Sequence, residues 1–466
     1  MNDWFAPARP GGGATVGLTS MALLVLAALG ACTHPQGTDG TLSAAAAPVV
    51  PPAALDPYPL IPLRQDLGEF LIEGEKAYVQ QAIASVEKVI KFRLTDADIQ
   101  STRIGTGNRR GDHSTPHGCF PAEFTVQPQN PQGKAAGGIA DKRNHGTTFP
   151  AIVRFSNSET TDVQDLRSAS IGLALKIDLQ RAGYSEADFL PGTQPPGVKE
   201  QELLTGTSRT FLAPDIKDYS WLFEKRVDPG ITDIAQVILT HPKVFYNRTI
   251  APKFRGKSAA PLLLQKEFFG ILPYAWDTRA VKVKFIPCHA FDPEKFPFDH
   301  KDPRYQMKMI AQFLAGADAC YRMRVQVRPD QFPGPPAGEG AAAAPADPQA
   351  PPLEKLFPIE DATVYWPDGD DPAEVQTSGG AVRVSSDFED VGTIRIKQGT
   401  APLADQACEG LAYNPWHGLK AHQPLGSLSR ARLVVYHQSE RVRREIYREQ
   451  ATGAAAGAAT GIPRPR

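Results

Sequence analysis

The strongest constraint on the fold is a two-residue alternation. Val281-Lys-Val-Lys-Phe285 and Tyr321-Arg-Met-Arg-Val-Gln-Val-Arg328 set apolar side chains against polar ones at every step. A strand of this kind buries one face and wets the other, the habit of antiparallel sheets; strands of a parallel doubly wound sheet are buried on both faces and read as unbroken apolar runs. Further strands are predicted at 119–126, 151–156, 171–178 and 392–397. Helical spacing of apolar residues covers 65–93 (Phe70, Leu71, Ala77, Val79, Ala82, Ile83, Val86, Val89, Ile90), and helices are predicted at 215–226, 232–241, 306–316 and 428–449. No strand–helix–strand periodicity runs through the chain. The pattern predicts an α+β protein, an antiparallel barrel or sandwich with helices set around it.

Composition decides how much of the chain belongs to that fold. The 466 residues include 43 Pro and 40 Gly, an excess that gathers in three stretches: a Pro/Ala-rich tether at 32–64, an insertion at 332–352 (FPGPPAGEGAAAAPADPQAPP) and a tail at 451–466. The foldable domain is therefore expected over 65–450. Ahead of it, Met21-Ala-Leu-Leu-Val-Leu-Ala-Ala-Leu-Gly30 is apolar but too short for a permanent membrane span, so 1–31 reads as a signal peptide. It ends in Leu29-Gly-Ala-Cys32, which resembles the lipidation box of bacterial lipoproteins. Lipidation of Cys32 would anchor the protein to a membrane surface; an ordinary cleavage nearby would leave Cys32 incidental. The expectation is an exported, periplasm-facing lipoprotein of the bacterial cell envelope.

With 50 Lys+Arg against 51 Asp+Glu, the net charge of −1 excludes a polybasic nucleic-acid binder. There is no GxxxxGK[ST], HExxH or GxSxG, and Gly105-Thr-Gly-Asn-Arg-Arg-Gly111 misses the dinucleotide spacing and reads as a turn. Cys119, Cys288, Cys320 and Cys408 form no CxxC pair. In an exported protein they allow three full disulfide pairings, or stay as buried thiols.

Three segments carry chemistry. Arg110-Gly-Asp-His113-Ser-Thr-Pro-His117-Gly-Cys119 precedes a strand. Arg154-Phe-Ser156 follows an apolar one. Arg432-Leu-Val-Val-Tyr436 lies on a predicted helix, where residues four apart share a face. A guanidinium beside a phenol favours the phenolate, a hard ligand suited to ferric iron. Arg110 and Arg154 suit carboxylate partners through charge-assisted bonds, and a histidine opposite can act as general acid–base on a peroxide.

In this order the segments resemble the haem catalase superfamily, which has an R-x-x-H-[AS] motif, an R-F-S strand and an R-x-x-x-Y helix. Within it they resemble a shorter bacterial, catalase-related branch, through His117-Gly-Cys119, Pro358-Ile-Glu-Asp-Ala362 and Asn414-Pro-Trp-His417. The resemblance covers about residues 70 to 445. It implies an antiparallel β-barrel with haem b held between barrel and helices. His113 would be the distal catalytic histidine and Ser156 the group that sets its tautomer. Tyr436 would be the proximal iron ligand supported by Arg432, and Arg110 and Arg154 the partners of the haem propionates. The activity implied is that of a haem-dependent hydroperoxidase, with peroxide as substrate and a second peroxide or an organic reductant closing the cycle.

The chain also departs from the pattern. The distal asparagine of catalases falls on Thr207, which has one hydroxyl in place of an amide, so weak dismutation is expected. An arginine on the preceding strand is replaced in Ile171-Gly172. Two alternatives follow: a haem enzyme that rearranges lipid hydroperoxides, and a non-catalytic haem-binding envelope lipoprotein. The tether replaces the N-terminal arm through which large catalases assemble, so a monomer or dimer is expected. His117 and Cys119 are expected to pack beneath the site rather than bind metal, Trp416 and His417 to be packing residues, and Arg441, Arg443 and Arg444 to form a solvated face with Glu440 and Glu445.

Overall fold

The computed structural model describes residues 61–95, 110, 113–128, 134–157, 165, 170–225, 239–245, 263–290, 292, 299, 301–329, 352–377 and 380–460. The signal peptide, Cys32, most of the tether and the 332–352 insertion, save its last residue, lie outside them, as does most of the predicted helix 232–241.

The alternating strands build a barrel. Strands β1 (Pro116–Val126), β2 (Thr148–Asn157), β3 (Ile171–Asp178), β4 (Glu200–Gly206), β5 (Phe268–Phe269), β6 (Tyr274–Trp276), β7 (Arg279–Pro287), β8 (Ala319–Val327) and β11 (Phe388–Ile396) form one antiparallel sheet. Its order is β5-β4-β3-β2-β1-β11-β8-β7-β6, and a β5–β7 pairing closes it, with β6 attached beside β7. Two short strands, β9 (Ala373–Thr377) and β10 (Gly380–Val384), make a separate hairpin. The expected α+β fold, a helix-decorated antiparallel barrel, is what the chain adopts. The sequence reading missed β4, β5, β6 and the β9–β10 hairpin. In β4 a polar start, Glu200-Gln-Glu202, masks the alternation; β5 and β6 are too short to show a period.

Period-2 alternation fills the barrel. Phe120, Phe124, Val153, Phe155, Leu173, Leu175, Leu203, Val283, Phe285, Tyr321, Met323 and Ile394 are buried together in its core. The neighbours of these residues along each strand, among them Arg154, Ser156, Gly172, Lys176 and Glu202, therefore face outward. They are nevertheless buried or nearly so. The cover is the segment 409–417, whose Glu409 bonds Arg154 and whose Asn414 and His417 bond Glu202. Helices α1 (Glu75–Thr95), α2 (Ile216–Lys225) and α5 (Ser427–Thr460) share a second core of Val79, Val86, Ile90, Ile216, Phe223, Val434, Val435 and Val442, which also takes in Trp416 of that segment. Helix α3 (Tyr305–Gly316) packs elsewhere, onto the barrel core, and α4 (Asp405–Gly410) lies near β1.

Two boundaries differ from expectation. Helix α1 starts at Glu75, so Phe70 and Leu71, expected on its apolar face, lie before it and are 57% and 52% exposed. Their segment is held by polar contacts instead: Arg430 of α5 donates to the Phe70 carbonyl and to Glu69, Glu75 and Glu360. Helix α5 runs on to Thr460, into the stretch expected as tail. Cys119 pairs with Cys408 and Cys288 with Cys320, one of the three pairings left open.

Several buried histidines have to stay neutral. His422 accepts the Ile139 N–H at 2.8 Å through Nε2 and lies against the Trp276 ring. His117 meets Asn157 Oδ1 at 2.8 Å. Burial pushes both down to about 3, and burial with the nearby His417 pushes His437 to about 4. In the unfolded chain these groups take up protons near their ordinary value, about 6.5. Their contribution is thus intact above that pH and lost as pH falls toward 3 to 4, by up to ~1.4 kcal/mol per pH unit for each proton the unfolded state binds in excess. Urea unfolding at pH 7.5, 6 and 5 should show a steady fall in midpoint, reduced when His422 is replaced by Gln.

Candidate functional site

The outward face of β2 and β3 carries the first half of the site. Ser156 pairs in register with Gly172, and Arg154 with both Ala174 and Cys119. His113 stands just ahead of β1, with its Nδ1 3.1 Å from Ser156 Oγ. Its ring lies close enough to β3 that a Cβ added at Gly172 would sit 2.8 Å from Cε1 and 3.0 Å from Nδ1. Glycine is what lets the imidazole reach Ser156. The backbone of His113 is left-handed, φ 55, which a non-glycine residue adopts at a cost and keeps only when its surroundings hold it. Arg154 supplies part of that hold by donating Nη2 to the His113 carbonyl at 3.2 Å. Arg154 therefore positions His113 as well as carrying charge.

Thr207 follows β4 beside Ser170. Its hydroxyl accepts the Ile171 N–H at 3.1 Å and shares a hydrogen bond with Ser170 Oγ at 3.0 Å. Those two bonds turn it toward the edge of β3. Ile171 itself points into the barrel core, so the departure from an arginine there substitutes apolar packing for charge.

Helix α5 carries the second half. Arg432 Nη2 donates to the Tyr436 hydroxyl at 2.9 Å, as the spacing of four predicts. Burial works against the Arg432 charge, but Tyr436 and Tyr274 beside it outweigh burial and raise its pKa. Tyr274 is pushed up to about 12 by burial, against the pull of Arg432, and is hydrogen-bonded to the Leu204 backbone. Leu204 lies on β4, whose Gly206 pairs with Gly172. Through Tyr274, the Arg432–Tyr436 pair is within electrostatic reach of β4, the strand paired with the one that carries Gly172.

The arginines expected to hold propionates converge on one residue that sequence reasoning missed. Glu409, 3% exposed, accepts from Arg110 Nε at 2.9 Å and from Arg154 Nη2 at 3.4 Å. Arg443 donates to the Glu409 carbonyl at 2.6 Å. Arg443 is buried, which corrects the expectation of a solvated face; Arg441 and Arg444 do pair with Glu445 and Glu440 one turn away. Burial works to raise the Glu409 carboxyl, and Arg110, Arg154 and Arg443 overcome it and hold the group below the ordinary range. The repulsion among the cations survives: burial and then Arg110 push Arg154 down to about 10 and lower Arg443. Arg154 Nε remains buried with no hydrogen-bond partner, as does the Tyr413 hydroxyl, each within the other's field. Cys408, the residue before Glu409, is the one bound to Cys119.

No family model matches the chain, and no curated protein matches it. Among solved structures it is similar to a fungal catalase, to catalase A from Saccharomyces cerevisiae and to a bacterial catalase, each at 14% identity over 72% of this chain. The TM-scores are 0.47, 0.47 and 0.44, and the matches cover 59%, 61% and 57% of those proteins. The chain spans about three-fifths of the length of these catalases.

Further along the same face runs a second polar cluster. Lys176 on β3 binds Glu200 and Glu202 of β4, and Glu202 meets His417 Nδ1 at 3.1 Å. Glu200, Glu202 and His417 offer ligand atoms within 4.8 Å of one another, the spacing of a metal site. The Lys176 ammonium already bonds both carboxylates, so this cluster carries its own cation. His417 thus has a polar role beyond packing, whereas Trp416 is a core residue bonded to the Ser429 carbonyl. His117 is buried and bonded to Asn157, and Cys119 is in a disulfide.

The Gly172 contact gives a direct test. Gly172→Ala should drive the His113 ring off Ser156. The ring nitrogen NMR shifts of His113 in the variant should match those of Ser156→Ala, with the fold unchanged by circular dichroism.

Proposed function

We propose that the chain is a haem-dependent hydroperoxidase of catalase-related type, acting on hydrogen peroxide or organic hydroperoxides. The observation that carries the reading is the Arg432–Tyr436 hydrogen bond on α5, set beside strands that present a glycine-seated, serine-oriented histidine. The motif resemblance noted above points the same way.

The donor set suits a haem. A phenol held by a guanidinium is a ligand for ferric iron. Arg110 and Arg154 grip a carboxylate already, with Arg443 on the carbonyl of the same residue, and the unpartnered Arg154 Nε is a further donor for a propionate. When bound, haem would supply the redox chemistry that cleaves the peroxide O–O bond. The protein's part is proton management and positioning. With Nδ1–H donated to Ser156 Oγ, the His113 ring carries its proton on Nδ1 and Nε2 is its acceptor nitrogen. Nε2 takes the proton from one peroxide oxygen and returns it to the other, the leaving one. Arg154 fixes the backbone that aims this ring. Arg432 donates a hydrogen bond to the Tyr436 oxygen and so fixes where that oxygen sits on α5.

Thr207 limits the reaction. With its hydroxyl engaged by Ile171 and Ser170, it is a poor second hydrogen-bond partner for hydrogen peroxide. Peroxidase turnover with an organic reductant is therefore favoured over fast dismutation. The same observation favours rearrangement of lipid hydroperoxides as the second reading, and a lipid on Cys32 would bring the enzyme to the membrane surface where such substrates form.

Haem titration followed at the Soret band tests the proposal. The wild type should saturate at one haem per chain, and Tyr436→Phe should shift the band and weaken binding. In the loaded protein His113→Ala should lower peroxidase kcat/KM by ~10²-fold or more. A wild-type protein with no Soret band contradicts the haem reading. Comparison of the products from a fatty-acid hydroperoxide and from hydrogen peroxide separates rearrangement from reduction.

A further inference from the structure

The arginine cage contains its own ligand. Arg110, Arg154 and Arg443 come from the approach to β1, from β2 and from α5, and they meet at the buried carboxylate and carbonyl of Glu409. A short helix reaches that point because Cys408 is bound to Cys119, and Cys119 is the register partner of Arg154. The disulfide therefore delivers Glu409 to the guanidinium it bonds. Without the covalent link, the carboxylate would be held there by non-covalent contacts alone: the bond from Leu403 N–H to the Cys119 carbonyl and those from Arg110 and Arg443 to the Leu411 and Glu409 carbonyls.

One carboxylate does not satisfy the cage. Arg154, 4% exposed, keeps a buried Nε–H with no acceptor, and the Tyr413 hydroxyl beside it has no partner either. A buried donor without an acceptor costs about 1–3 kcal/mol. The seat thus has donor capacity that the Glu409 carboxylate, in the position it takes, leaves unused.

We propose that Glu409 is an internal competitor at this seat. It neutralises Arg154 and Arg110 when no outside ligand is present, an incoming carboxylate ligand has to displace it, and the Cys119–Cys408 disulfide sets how strongly it competes. Glu409 then governs which carboxylates enter and how tightly they bind. That the incoming group is a haem propionate rests on the proposed function; the competition at the seat does not.

Two measurements decide it. Thermal unfolding uses formate as the probe, with equal chloride as control. Glu409→Ala should melt below wild type and recover most of the loss in millimolar formate but not in chloride, while wild type stays unmoved. The double variant Cys119→Ser, Cys408→Ser keeps Glu409 but frees it, and should gain a formate response. If formate acts no differently from chloride on both variants, the proposal is wrong. Soret titration then compares haem with haem dimethyl ester, which lacks carboxylates. Glu409→Gln should bind haem at least tenfold more tightly than wild type and the ester equally well. An equal change for both, or weaker haem binding alone, overturns the proposal. If no variant binds haem, the haem reading fails and the formate melts still decide the competition.

Discussion

The site depends on burying three guanidinium groups around one carboxylate. Arg110, Arg154 and Arg443 are drawn from the segment before β1, from the barrel wall and from the long C-terminal helix, and Glu409 ties them together. Taking such charges out of water is unfavourable unless they are paired and hydrogen-bonded, so this cluster fixes how the helix layer sits on the barrel. The consequence reaches the chemistry directly. Arg154 is also the residue that holds the left-handed His113 backbone, and His113 is the ring that Gly172 admits and Ser156 orients.

Helix α5 has an opposite arrangement near its start. There Arg430 is held by Glu69, Glu75 and Glu360, and Glu360 also accepts the Ser427 N–H. Burial opposes the Arg430 charge and the carboxylates outweigh it, raising its pKa. One cation among carboxylates anchors the start of the helix, and one carboxylate among cations anchors it further on. Arg432 and Tyr436 lie between the two. The helix is thereby fixed in register against the sheet, which a phenol needs if it is to present one oxygen to one position.

Much of this was legible in the sequence. The alternation of 281–285 and 321–328 is enough to give an antiparallel sheet, and the spacing of Arg432 and Tyr436 gave their hydrogen bond. His113, Ser156 and Arg154 are brought together as the motif order implied. What escaped the sequence is what depends on pairing between distant segments. Glu409 sits in an undistinguished short helix, and only the disulfide to Cys119, 289 residues away, reveals its role. Lys176 and Glu202 look like the solvent face of alternating strands, but Tyr413, Asn414 and His417 cover that face. Arg443 looks like a member of a charged surface run, and only the rotation of α5 shows that it points inward. Local period reports which residues share a face; it does not report what covers that face.

In the proposed function Tyr436, held by Arg432, would ligate a haem iron on the outer wall of the barrel. Resonance Raman spectroscopy of the haem-loaded protein, excited in the phenolate-to-iron charge-transfer region, tests it most directly. Tyrosinate ring modes should appear in the wild type and be absent from Tyr436→Phe. Identical spectra for the two proteins, or the signature of a histidine axial ligand in the wild type, would contradict it.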